Sequence, residues 1–331
     1  MSFENQYNEA GMQKSNFFKM LLFSAAAFIV LIISAFIPFL GILGIALISI
    51  PSIKLMLEKR IFESIIAALV GSSVLSFIDW TLSLLFAFFI ISSSFLYKYA
   101  VEKNKSPLTI IFANGFVFVI FIIIYIVFLS LIRSENVIAS FLNYYKDVIE
   151  SLPQDPNIQN YMKIMAIDDL QFKSIFEQSK NALIMIPYLM PAILVLYAFF
   201  ASIVNYYWSF LIFKKGGFTI KQMPSFKIWD LPWYYIFGLI IGMVLVIIPD
   251  FNKSYDFLFD TVGINFLIVF AVLYSVLGFS VLWGIFDKFK FTSFLRILIL
   301  IIMGFFIFLF ALIPVLGVID IWANFRKIER R

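Results

Sequence analysis

Long apolar runs separated by short polar turns set the pattern of this chain. Nine stretches stand out: residues 20–37, 40–56, 61–78, 81–100, 108–132, 182–213, 233–248, 257–286 and 294–316. They run to roughly 17 to 30 residues, the length a helix needs to cross about 30 Å of hydrocarbon. A β-barrel would instead alternate apolar and polar positions in strands of about ten residues. The pattern therefore predicts an all-α, polytopic transmembrane bundle. Pro38, Pro51, Pro187, Pro191 and Pro314 bound or interrupt several runs, which membrane helices tolerate where neighbours re-satisfy the freed carbonyls.

Composition makes lipid the expected solvent. Apolar residues are 63% of the 331 and charged residues 14%, with a mean hydropathy of +1.00. The run beginning at Met20 is too long for a cleaved signal and reads as a retained first span. There is no cysteine and no histidine, so thiol nucleophiles, disulfides, haem ligation, imidazole bases and the usual zinc sites are excluded. No cofactor is expected, and no Walker loop, dinucleotide fingerprint or nucleophile elbow is present. Lys214, Lys215, Gly216 and Gly217 lack the spaced glycines of a phosphate cradle and read as a turn.

The net charge of +5 sits in short connections between runs, which argues for lipid and against nucleic acid as partner. Lys14 and Lys19, then Lys54, Lys59 and Arg60, then Lys98, Lys103 and Lys105, then Lys214, Lys215, Lys221 and Lys227 all fit the cytoplasm with the N-terminus inside. The last run breaks that count. Lys288, Lys290 and Arg296 flank one end, and Arg326, Lys327, Arg330 and Arg331 flank the other, so both ends ask for the same side. Eight crossings resolve the conflict if residues 233–248 are re-entrant, or if the last run folds back at Pro314 and Gly317. The expected location is a bacterial cytoplasmic membrane.

One transmembrane domain over residues 1–331 is expected, interrupted by a long polar connection at 133–181. With seven acidic and five basic residues, that connection belongs outside. Ile138, Phe141, Leu142, Tyr145, Val148, Ile149 and Leu152 recur at helical spacing, and Pro153 and Pro156 end the amphipathic helix they define. A second short helix starts at Asp168, with Gln171 completing a capping pattern. The pair reads as a lid in the outer headgroup layer, or as a cover for a cavity or partner. No internal repeat is evident.

Charged and amide groups inside spans are the functional candidates, because lipid makes them costly. Glu63 lies beside Lys59 and Arg60 and reads as an interfacial pair; Asp79 lies in a turn beside Trp80. Asp320 precedes Trp322, Asn324, Phe325 and Arg326 in a compact motif where it can pair with Arg326, cap a short helix, or belong to an interfacial anchor. Asn205, with Tyr206 and Trp208, is a candidate substrate or partner contact, and Asn114 shares its capacity for hydrogen bonds between helices. Ala67 with Gly71, Ala68 with Ser72 and Ser76, and Gly238 with Gly242 form small-residue stripes suited to helix packing.

Several stretches together resemble the YybS-like family of uncharacterised bacterial membrane proteins. They are Pro38, Leu40, Gly41 and Pro51; Pro187 to Pro191 before the span holding Asn205; Phe226, Trp229, Leu231 and Pro232; and Leu316, Gly317, Asp320, Trp322, Phe325 and Arg326. The resemblance implies a fold and no established activity. Its plan is similar to the substrate-binding subunits of energy-coupling-factor transporters and to a rod-shape membrane protein, although Ala25, Ala26 and Ala27 are consecutive rather than spaced as a docking motif. The expected function is a non-enzymatic binding or transport subunit for a small solute, working with other membrane subunits. The alternative is a scaffold for envelope or cell-division partners.

Overall fold

The computed structural model describes residues 17–26, 28–29, 32–33, 44, 46–165, 168–215, 218, 220–247, 256–305 and 307–328. Much of the first candidate span, with Pro38 to Gly41, lies outside the described residues, as do Lys14, Gly216, Gly217, Arg330 and Arg331. The described regular structure is helical throughout. In chain order the helices are α1 (Phe17–Ala26), α2 (Ile50–Leu57), α3 (Ile61–Ser72), α4 (Trp80–Glu102), α5 (Pro107–Arg133), α6 (Val137–Ser151), α7 (Pro156–Ile164), α8 (Asp169–Met185), α9 (Met190–Lys215), α10 (Ile236–Ile247), α11 (Asp256–Lys288), α12 (Ser293–Phe305) and α13 (Ile307–Ala323). Among the described residues, four helical stretches are long and apolar enough to cross a membrane: Trp80–Glu102, Pro107–Arg133, Leu170–Lys214 and Phe259–Lys288. Six shorter apolar helices accompany them.

The chain divides into two compact units, residues 1–168 with 194–223, and 169–193 with 224–331. The first is a bundle of α2 to α5 and most of α9 around a ring-rich core. Phe86 packs edge-on to Phe121 at 4.9 Å and Phe89 to Phe118 at 5.2 Å. Buried serines tie the helices where rings do not. Ser52 and Ser64 hydroxyls lie 2.8 Å apart between α2 and α3, and Ser94 of α4 donates to Ser52 at 2.9 Å. Such bonds hold helices together where the hydrophobic effect contributes little, because lipid is as apolar as the core.

The run over 61–78 does not stay α-helical. After Ser72 it tightens into a 3₁₀ turn, Ser73–Phe77, in which Ser73 and Ser76 hydroxyls bond back to Val70 and Ser73 carbonyls. Ser76 is exposed and takes no part in a packing stripe. Asp79 then starts α4 as its N-cap, accepting from the Thr81 N–H at 2.7 Å.

The amphipathic helix expected at 138–152 is α6, capped by Asn136 and ended by a 3₁₀ turn holding Pro153. A further helix that the sequence reading did not separate, α7, follows, with Asp155 accepting from the Asn157 N–H at 2.7 Å. The helix expected at Asp168 begins at Asp169 and leads through the 3₁₀ turn Ile186–Leu189 into α9 rather than standing apart.

In the second unit α10 and α11 form an antiparallel hairpin, with Gly238 against Phe270, Gly242 against Leu267, and Gly263 against Val246. The small residues at 238 and 242 thus serve packing within the chain. Gly71 does the same in the first unit, against Ser24 and Phe28.

Candidate functional site

In the first unit Asn205 is fully engaged. Its amide nitrogen donates to the Ala46 carbonyl and to Ser49 Oγ, and its oxygen accepts from Tyr97 OH at 2.6 Å. Every lone donor of a buried amide is expensive, so this closed set fixes three helical stretches at one point. The cavity beside it, touched by Ser49, Asn114, Ser202 and Asn205, holds about 10 Å³. That is room for about one water and no solute. Asn114 is likewise used, accepting from Ser93 at 2.6 Å.

Tyr206 is buried, and its hydroxyl donates to the Lys221 carbonyl at 2.6 Å. Trp208 is 41% exposed. The structure therefore brings Asn205 and Tyr206 into the core and leaves Trp208 on the surface.

Tyr206 anchors one wall of a larger opening. A cleft of about 610 Å³ lies where α4 and α9 end, with Asn104, Lys214, Lys221 and Gln222 as its polar lining. Val101, Phe210, Phe218 and Ile220 supply its apolar side. Lys221 Nζ donates to the Asn104 carbonyl at 2.8 Å, and Lys214 Nζ lies over the Phe210 ring at 5.6 Å. This is the end of the unit that carries the basic turns. Arg60 and Glu63 pair there at 3.3 Å. The other end holds Asp79, whose pKa is lowered first by the Thr81 hydroxyl bond and further by Arg133. The cleft was hidden in the sequence because its lining is drawn from Val101 and Asn104 on one side and from scattered positions between Phe210 and Gln222 on the other, with no cradle pattern among them.

In the second unit the terminal motif assembles around Arg326. Its Nη2 and Nε reach Asp320 Oδ2 at 2.8 and 3.1 Å, and Nη2 lies 3.6 Å from Asp230 Oδ1. Its Nη1 donates to the Trp229 carbonyl at 2.6 Å, to Ser280 Oγ at 2.7 Å and to the Lys227 carbonyl at 3.1 Å. Ser280 in turn donates to the Phe226 carbonyl at 2.6 Å. The carbonyls belong to a stretch, 220–235, that is irregular apart from two 3₁₀ turns. Non-helical backbone beside apolar helices must find its partners within the protein, and Arg326 with Ser280 supplies them. Trp322 is 66% exposed and stands outside this network.

The last run reverses. Arg296 pairs with Asp287 at 2.8 Å and Lys227 with Asp287 at 3.0 Å, while the Lys227 carbonyl also receives Arg326. A straight helix over 293–323 would be about 46 Å long and could not bring both its ends to Lys227. The reversal does not fall at Pro314, which lies inside α13, nor at Gly317, which packs on Tyr274.

Asn265 escaped sequence reading. Its nitrogen donates to the Tyr188 and Thr261 carbonyls and its oxygen accepts from the Ala192 N–H, each at 2.7 Å. It thereby satisfies backbone groups freed around Pro187 and Pro191. An Asn inside a long apolar run, next in space to a proline break, was the available signal.

Among the described residues no group of His, Cys, Asp and Glu could hold a metal ion. Helices of spanning length, serine-bonded packing and a buried Asp–Arg centre define a polytopic helical membrane protein. The chain belongs to the family described as predicted membrane protein (DUF2232), which matches residues 25–321. That agrees with the YybS-like resemblance. No curated protein and no solved structure matches it.

Proposed function

We propose that this chain is a non-enzymatic binding subunit of the bacterial cytoplasmic membrane, taking a small ligand through the cleft at the end of α4 and α9. The observation that carries the reading is the volume of that cleft, about 610 Å³, which lies within the usual range of ligand sites. By the positive-inside rule the cleft opens toward the cytoplasm, as does the N-terminus. The chain has no energy-transducing motif, so any transport driven against a gradient falls to partner subunits. The scaffold reading loses its small-residue surfaces, because Gly71, Gly238 and Gly242 face neighbouring side chains inside their units. It keeps the outer helices α6 to α8.

The test is a thermal-stability screen of the purified protein against neutral, cationic and anionic metabolites, repeated on Phe218→Ala. A stabilising compound whose effect is lost in Phe218→Ala supports the reading. A screen in which nothing shifts Tm, or in which the shift survives Phe218→Ala, overturns it.

A further inference from the structure

We propose that the cleft holds the phosphate-bearing head of an anionic amphiphile, a deepening that rests on the binding-subunit reading above. Four features point to this class.

The cleft is positive and unneutralised. Lys214 and Lys221 both line it, and among the described residues neither has an acidic partner. Elsewhere at this end Lys54 and Arg60 share Glu58, and Arg60 also meets Glu63. Two α-helices end at the cleft, and lysines near helix C-termini are commonly explained by the negative end of the dipole. That explanation accounts for Lys221, which donates to the Asn104 carbonyl at the end of α4. It leaves Lys221 two further donors, and it leaves Lys214 lying over Phe210 rather than on a carbonyl.

The donors are held in place. Tyr206, fully buried, fixes the Lys221 carbonyl at 2.6 Å, and Lys221 Nζ is set at 2.8 Å from Asn104. Gln222 adds amide donors beside them. A tetrahedral oxyanion takes several N–H donors from one side, which this set supplies.

The remaining wall is apolar. Val101, Phe210, Phe218 and Ile220 line it, so a ligand must carry hydrocarbon beside its charge. A small, fully hydrated anion would leave that wall wet.

The site lies at the end of two membrane-length stretches, Trp80–Glu102 and Leu170–Lys214. Basic pockets between spans at the cytoplasmic face are where anionic lipid heads bind. An amphiphile in the inner leaflet reaches the cleft without leaving the membrane.

The experiment places the purified chain in nanodiscs of phosphatidylcholine alone or with phosphatidylglycerol and measures Tm and the lipid retained after detergent extraction. Parallel samples in detergent receive glycerol phosphate or inorganic phosphate. The variants are Lys214→Ala with Lys221→Ala, and a control pair, Lys98→Ala with Lys103→Ala, equal in charge and outside the cleft lining. The expected result is retention of phosphatidylglycerol that falls about tenfold in the first pair and stays within about twofold in the control, as removal of two charge-assisted hydrogen bonds to the head would produce. Equal loss in both pairs, or none in either, overturns the proposal. Stabilisation by soluble phosphate with the same lysine dependence overturns the amphiphile and assigns the cleft to a soluble phosphorylated ligand. Should a neutral metabolite bind through Phe218 while both lysine pairs behave alike, the binding-subunit reading stands and the phosphate inference falls. Should the first pair fail to fold, Lys214→Gln with Lys221→Gln keeps length and hydrogen bonding, and the same fall in retention is expected.

Discussion

Arg326 sets two nitrogens on one oxygen of Asp320, at 2.8 and 3.1 Å, while the other oxygen of Asp320 accepts from the Phe325 N–H at 2.8 Å. The arginine side chain is 3% exposed and the aspartate 0%. Removing one partner of a buried pair leaves the other charge unpaired, at a cost of about 3–5 kcal/mol. Arg326→Ala is therefore expected to lower Tm sharply. Arg326→Lys keeps the charge, but one ammonium cannot reach Asp320, Ser280 and two carbonyls together, so an intermediate loss is expected. Arg326→Ala with Asp320→Ala should cost less than the two single losses added. Thermal unfolding in detergent measures all three, and strict additivity would disprove the coupling.

The reversal of the last run makes a topological prediction. Lys290 and Lys327 are both exposed and flank α12 and α13. The chain has no cysteine of its own, so single cysteines can be placed without background. Lys290→Cys and Lys327→Cys are expected to react with an impermeant maleimide from the same side of sealed vesicles. Labelling from opposite sides would mean that the run crosses.

Which features were legible follows from how local they are. The amphipathic helix α6 was readable because its apolar residues recur at helical spacing and a proline pair stops it. Its neighbour α7 was passed over: Ile158, Tyr161 and Met162 do recur at helical spacing, but nine residues are too short a run to stand out. The Asp320–Arg326 pair was visible six residues apart. Its carbonyl partners at 227 and 229 were not, because nothing in a sequence marks partners nearly a hundred residues away. Asn205 was legible as a polar group in a span, yet its partner Tyr97 is 108 residues distant, and only that bond turns a candidate ligand contact into a core brace. The proline at 314 was read as a break, but neighbouring helices carry it inside α13.

The two polar centres of the first unit should separate cleanly. Asn205→Ala strands Tyr97 OH and the Ala46 carbonyl in the core, and each buried group left without a partner costs about 1–3 kcal/mol. A lower Tm with unchanged ligand retention is expected. Replacing Lys214 and Lys221 should do the reverse, because both are exposed. Loss of retention in a folded Asn205→Ala protein would return Asn205 to the ligand site.

Asp79 ties stability to acid pH. The Thr81 hydroxyl donates to its carboxylate at 2.6 Å, and this bond, with those from the Thr81 and Leu82 N–H groups and the charge of Arg133, lowers its pKa against a smaller opposing effect of burial. A carboxyl lowered on folding stabilises the protein above its unfolded pKa of about 4 and ceases to do so as the pH falls through its folded value. Asp79→Asn keeps an acceptor for the helix cap but cannot titrate. Wild type is thus expected to be the more stable at pH 7, with the difference closing as the pH falls below about 4. Asp79→Ala should cost about 1 kcal/mol through the lost cap. A wild-type to Asp79→Asn difference that stays constant from pH 7 to pH 3 would contradict the assignment.

Gly278 and Gly304 offer the sharpest contrast in packing. A Cβ added at Gly278 would land on the Ile313 carbonyl, and one added at Gly317 on the Tyr274 carbonyl, so α11 and α13 meet backbone to backbone at this crossing. No side-chain rotation relieves such a clash, so the helices must part and loosen the packing that seats Asp320 and Arg326 nearby. Gly278→Ala is expected to cost about 1–3 kcal/mol. Gly304, in α12, has nothing within 4 Å of its added Cβ. There the gain in helix propensity acts alone, and Gly304→Ala should stabilise by about 0.5–1 kcal/mol. Opposite shifts in Tm for the same chemical change would locate the close approach at α11 and α13, whereas a neutral Gly278→Ala would mean that these helices lie further apart than described.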